Sequence, residues 1–140
     1  MVFGGAQVLM DLEPLVRIVR GDTILHGYTH TVLGAFLIAL IAGLIGRPIS
    51  LYVLKLLQIR HSNFGWSVSF STAFVGTYSH IVFDAMMHAD MRPLWPLAEM
   101  NPLLGLVSIP QIHLLCLVSA VLAGCIAVTR VAIRTKSTAD

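Results

Sequence analysis

Apolar positions in this chain fall in long runs that polar residues interrupt at few places, and those interruptions set the predicted elements. Residues 31–46, TVLGAFLIALIAGLIG, carry no charge and stop at Arg47-Pro48. With Tyr28 to His30 added, the run just reaches the roughly 20 residues that a bilayer crossing requires. It predicts a first membrane span. Residues 49–60, ISLYVLKLLQIR, place Lys55, Gln58 and Arg60 among leucines, a pattern that suits a helix lying at the interface. A second span is expected from about Phe64 to Met87, opening at Trp66 as a headgroup-level anchor, and a third from about Pro110 to Thr129, closed by Arg130, Arg134 and Lys136. The N-terminal stretch VFGGAQVLMDLEPLVRIVRGD is apolar enough to be buried but too charged to span cleanly. It reads as a partly embedded helix broken at Pro14. The expected fold is all-α: a polytopic membrane helical bundle of about three transmembrane helices, with the N-terminal and interfacial helices beside them, in one domain over 1–140.

Composition agrees with this picture and removes other classes. The chain is 56% hydrophobic with 11% charged residues and a mean hydropathy of +0.83, too few charges to clothe a soluble globule. The net charge of +2 is small and the basic residues are scattered, so nucleic acid is not an expected partner. Residues 1–20 do not make a secretory signal, because no basic n-region precedes the apolar stretch and Asp11 and Glu13 interrupt it. Cys116 and Cys125 lack CxxC spacing and read as small core residues. With three spans, Arg47, Lys55, Arg60, Arg130, Arg134 and Lys136 lie on one side of the membrane, against Arg17, Arg20 and Arg92 on the other. That bias puts the N-terminus and the 88–109 loop outside.

Charge within the spans is where chemistry is expected. The stretch SHIVFDAMMHAD sets His80, Asp84 and His88 four residues apart in an otherwise apolar run, and HGYTH does the same for His26 and His30. Residues at that spacing lie one turn apart on a helix face, so each stretch is a comb of donors. The topology carries both combs, with Asp90, to the same membrane face, and Asp11 and Glu13 join them if the N-terminal segment folds back. Ser69, Ala73, Thr77, His80 and Asp84 share one stripe of the second span, whose small residues should pack closely, while Phe70, Phe74, Val75, Ile81 and Val82 occupy the remainder. Ionisable groups held in a membrane point to function, and imidazole mixed with carboxylate suits Zn, with Mn or Fe(II) as the other candidates. His61 and His113, each alone at a membrane end, read as interfacial residues.

The segments MDLEP, LHGYTHTVLGA and GTYSHIVFDAMMHADMRPLWPL, over roughly residues 9–105, together resemble the family of inner-membrane-associated metal-dependent hydrolases that includes a LexA-binding member. The resemblance implies an all-helical membrane protein with a metal site, and its pattern carries over to Asp11, His26, His30, His80 and Asp84, with His88 and Asp90 as an extended last motif. Two features depart from it. No histidine precedes the acidic turn, and that turn lacks a leading proline, so either a helix is missing ahead of residue 1 or the site is built with fewer ligands.

The leading expectation is a hydrolase in which a divalent metal held by His26, His30, His80 and Asp84 activates water. Asp11 completes the coordination or binds a second ion, Glu13 or Asp90 is the general base and His88 the general acid. Its position at a membrane face favours a lipid-linked or amphipathic ester or phosphoester among membrane lipids. The alternatives are a non-catalytic assembly or adaptor subunit, with a protein partner or a second copy, in which the combs form a structural clasp, and a haem protein with His30 and His80 as axial ligands. No GxSxG elbow or Cys-His arrangement offers a nucleophile.

Overall fold

A computed structural model describes residues 1–59 and 63–137; Arg60 and His61 lie outside them. Four helices appear in chain order, α1 (Val2–Arg20), α2 (Val32–Leu56), α3 (Trp66–Met87) and α4 (Ile109–Ser137), with one 3-10 turn (Tyr28–His30) ahead of α2 and no strand among the described residues. Met1–Leu104 form one compact unit, and α4 belongs to a second that begins at Gly105. Among the described residues, two helices are long and apolar enough to cross a bilayer, Val32–Leu56 and Ile109–Arg130. α3 has 22 residues, but its serines, threonines, His80 and Asp84 dilute its apolar character.

Two prolines do not end helices where the sequence pattern placed boundaries. α1 runs unbroken through Pro14 and α2 through Pro48, so the expected interfacial helix over 49–60 is, as far as Leu56, the last turns of the same helix that begins at Val32. A proline inside a helix frees the carbonyl four residues earlier. For Pro14 that is the Met10 carbonyl, which meets the Thr29 hydroxyl at 3.5 Å, while Val2, Ala6 and Met10 bury the α1 face against the bundle. Tertiary packing of the turns before the proline outweighs the one lost backbone bond.

The helix ends follow local chemistry. Gly21 takes the left-handed conformation (φ 75°) that ends α1, its N–H donating to the Ile18 carbonyl while that of Asp22 donates to Arg17. Thr31 caps α2, its hydroxyl oxygen accepting from the Gly34 N–H at 2.9 Å. At α4 the Gln111 carboxamide oxygen accepts from the Ser108 N–H at 3.0 Å, one half of a capping box.

Packing in the first unit depends on small residues. Ser69, Ala73 and Thr77 of α3 are fully buried, as the stripe predicted, while Ile81, assigned from the pattern to another face, is buried too and packs with Met10, Ala35, Ala85 and Met91. α2 and α3 approach closely at Gly43, where an added Cβ would lie 2.4 Å from Phe70 Cδ1, and where the Ser69 hydroxyl donates to the Gly43 carbonyl at 2.7 Å. Lower on the same pair, Arg47 donates to the Phe64 carbonyl at 2.9 Å and lies over the Trp66 ring. Because α2 and α3 run antiparallel, the start of α2 lies beside the end of α3, far from Arg47 and Trp66. α1 packs on both.

Candidate metal centre

At that end of the hairpin four elements deliver polar groups. α1 contributes Gln7, Asp11 and Glu13, and the turn before α2 contributes His26, Thr29 and His30. α3 contributes His80 and Asp84, and its trailing loop contributes His88 and Asp90. The loop is tied down by the Val32 N–H, which donates to the Pro93 carbonyl at 2.8 Å, and by Asn101, whose amide donates to the Ala85 carbonyl at 2.8 Å.

Asp84 sits at the middle. Its Oδ2 lies 3.1 Å from His80 Nε2, 3.6 Å from His30 Nε2 and 4.0 Å from His26 Nε2. Asp11 Oδ1 reaches His80 Nε2 from α1 at 3.2 Å, and the His30 and His80 Nε2 atoms are 3.3 Å apart. One donor atom from each of Asp11, His30, His80 and Asp84 lies within 4.8 Å of the others, and a second such set comprises His26, His88 and Asp90.

The other nitrogen of each ring decides what these distances mean. His26 Nδ1 faces both Asp90 carboxylate oxygens at 3.0 Å, so it carries the proton. The Thr29 hydroxyl gives its single hydrogen to Glu13 Oε2 at 2.6 Å, which leaves its oxygen to accept from His30 Nδ1 at 3.0 Å. His80 Nδ1 donates to the Gln7 carboxamide oxygen at 2.7 Å. With each Nδ1 bonded, all three rings turn Nε2 toward Asp84, where a neutral imidazole offers a lone pair. Nitrogen lone pairs and carboxylate oxygens facing one another at 3 to 4 Å repel unless a cation lies among them. Among the described residues the only Arg or Lys ion pairs are Arg17–Glu13 and Arg92–Glu99, so Asp11 and Asp84 face histidines and no arginine or lysine. The donor set therefore fits a divalent ion of the Zn, Mn or Fe(II) kind.

Glu13 is engaged elsewhere. Its two oxygens accept from Arg17, from the Tyr28 and Thr29 N–H groups and from the Thr29 hydroxyl. Burial alone would raise its carboxyl, but the bonds from Thr29 and the Arg17 guanidinium hold it below the usual carboxylate range. Gly27 permits this approach, since a Cβ there would lie 2.0 Å from Glu13 Oε1. Asp90 behaves alike. Its burial raises the carboxyl, while the His26 and Leu25 N–H groups and the His26 ring outweigh burial and set it at about 2.

The structure thus brings seven of the eight expected site residues to one cluster, with Glu13 one hydrogen-bond step behind it. Gln7 and Thr29 escaped the sequence reading. The signal for Gln7 was its spacing four residues before Asp11 on α1, and for Thr29 its place beside His30. His113 lies in the second unit, where its Nδ1 donates to the Ile109 carbonyl at 2.8 Å.

The family described as YdjM inner membrane protein matches residues 14–138, most of the chain, and the chain belongs to that family. No curated protein and no solved structure matches it.

Proposed function

We propose that this YdjM-family inner membrane protein is a metal-dependent hydrolase whose cation is held by Asp11, His30, His80 and Asp84, with His26 at the edge of the set. The observation that carries the proposal is the convergence of three Nε2 atoms on Asp84 with every Nδ1 already bonded. A divalent ion there would lower the pKa of a bound water towards neutrality.

The chain's own residues would do the remaining work. Gln7, Thr29 and Asp90 fix the orientation and tautomer of His80, His30 and His26, as groups behind metal-binding histidines commonly do. We assign Glu13 to positioning, through Thr29, in place of the base expected from the sequence, because both of its oxygens already accept several bonds. Beside His26 and Asp90 opens a cleft of about 200 Å³ lined by Arg17, Tyr28, Arg92 and Trp95. Arginine and aromatic walls suit an anionic, amphipathic ester, and water would add to its acyl or phosphoryl centre as the ester bond to the alcohol breaks and the alcohol takes up the proton. We place this face outside the cytoplasm, with α3 as a third crossing packed against α2, on the strength of the basic-residue bias. A reporter fused within the 88–104 loop should be active only outside; activity inside would reverse the orientation.

The separation of the His30 and His80 Nε2 atoms speaks against a haem. Two axial nitrogens, each about 2 Å from a metal, stand about 4 Å apart with a macrocycle between them, whereas these are 3.3 Å apart with two carboxylates alongside. The test is elemental analysis of detergent-purified protein. Wild type should retain stoichiometric metal and hydrolyse a generic ester or phosphoester, and Asp84→Asn should lose both. A metal-free wild type, or full activity in His80→Ala, would leave the clasp as the better reading.

A further inference from the structure

We infer that the centre holds two cations, with the Asp84 carboxylate between them, and that His26, His88 and Asp90 form the second site. The inference rests on the hydrolase reading for its first cation and extends it.

Geometry separates the donors into two sets that meet at Asp84. Asp11, His30 and His80 approach from α1, the turn before α2 and α3. His26, His88 and Asp90 lie on the other side, each offering a donor atom within 4.8 Å of the others'. The His26 and His88 ring centroids are 4.3 Å apart with the planes tilted by 33°, an arrangement in which neighbouring imidazoles can both turn a nitrogen to one ion. His26 Nε2 is 4.0 Å from Asp84 Oδ2, so Asp84 is within reach of both sets. In hydrolytic two-metal sites the ions stand about 3.5 to 4 Å apart, and together they stabilise the attacking and leaving oxygens.

His88 is held in place although it is exposed. It ends α3 in an extended conformation (φ −110°, ψ 119°), its N–H donating to the Asp84 carbonyl at 2.8 Å, and its own carbonyl accepts from the Asn101 amide at 3.3 Å. A ligand that is anchored through its backbone yet open to solvent suits a catalytic ion, which keeps a position for water or substrate. Charge argues the same way. One divalent ion balances Asp11 and Asp84, whereas Asp90 has no Arg or Lys partner among the ion pairs of the described residues. In this centre His88 and Asp90 are ligands, replacing the acid and base roles expected of them.

The experiment counts metal in the full chain, purified in detergent, loaded with Zn²⁺ and desalted, with circular dichroism confirming retained helix. Wild type should hold two equivalents of Zn²⁺ and His88→Ala one. Loading with Co²⁺ should give spin-coupled ions by electron paramagnetic resonance in wild type and an uncoupled ion in His88→Ala. One equivalent in both proteins would overturn the second site while leaving the first standing, and none in either would remove both. Two equivalents in both would exclude His88 as a ligand.

Discussion

Replacing Thr29 by Val tests the assignment of proton positions, on which the proposed metal centre depends. The two side chains have nearly the same shape, so the change removes a hydroxyl and little else. In the folded protein that hydroxyl donates to the Glu13 carboxylate at 2.6 Å and accepts from His30 Nδ1 at 3.0 Å. Loss of the first bond, made to a charged acceptor, costs about 1.5 to 3 kcal/mol. Loss of the second leaves an N–H on a ring that is 1% exposed, a cost of about 1 to 3 kcal/mol. The two do not simply add, because Glu13 keeps its bonds from Arg17 and from the Tyr28 and Thr29 N–H groups. Part of the loss would fall on an ion bound at the proposed centre, since His30 is then free to move its proton to Nε2 and withdraw the lone pair. Substituting a group behind a metal-bound histidine typically weakens binding 10- to 100-fold, about 1.4 to 2.7 kcal/mol. The assay is Zn²⁺ affinity by chelator competition on purified protein, alongside the unfolding temperature with and without metal, with Thr29→Ser as the variant that keeps the hydroxyl. Thr29→Val with unchanged Zn²⁺ affinity, or Thr29→Ser as weak as Thr29→Val, would refute the proposed relay from Glu13 to His30.

Other expectations follow from the same geometry. Stripping metal with a chelator should lower the unfolding temperature, and restoring Zn²⁺ should bring it back, because a ligand that binds only the folded state stabilises it by mass action; an unfolding temperature indifferent to metal would argue against a bound ion. Gly43→Ala should destabilise the helix pair by about 1 to 3 kcal/mol, as expected for overpacking, with Phe70 forced aside; denaturation in mixed micelles reads this out, and a neutral result would mean that the α2–α3 contact is looser than described. Ser69→Ala should cost less, about 0.6 kcal/mol, the typical worth of an interhelical hydrogen bond in a membrane protein. Gln7→Leu should weaken Zn²⁺ binding through His80 without altering the far end of the hairpin, so Trp66 fluorescence should stay as in wild type while metal affinity falls.

The sequence by itself determined the helical membrane character, the α2 and α4 runs, the packed stripe of α3 and most of the histidines and carboxylates that cluster beside it. Each of these follows from one-dimensional regularity: uninterrupted apolar length sets a span, and a spacing of four sets a helix face. Helix boundaries at proline were decided by tertiary structure. Pro14 and Pro48 each remove one backbone bond, a local signal for an end, yet packing of Val2, Ala6 and Met10 on one side and continuity of the α2 face on the other keep the helices whole. The division of labour among the acidic residues was also beyond the sequence. Asp11 and Glu13 are two positions apart on α1, and in one dimension they look alike. On a helix two residues diverge by about 200°, so Asp11 turns to His80 while Glu13 turns to the Thr29 and Arg17 donors. Likewise nothing in the order of residues says that Gln7 stands behind His80, 73 positions away, or which ring nitrogen of each histidine is free. Those depend on which groups the fold sets opposite one another, and hydrogen-bond complementarity across the helix contacts decides them.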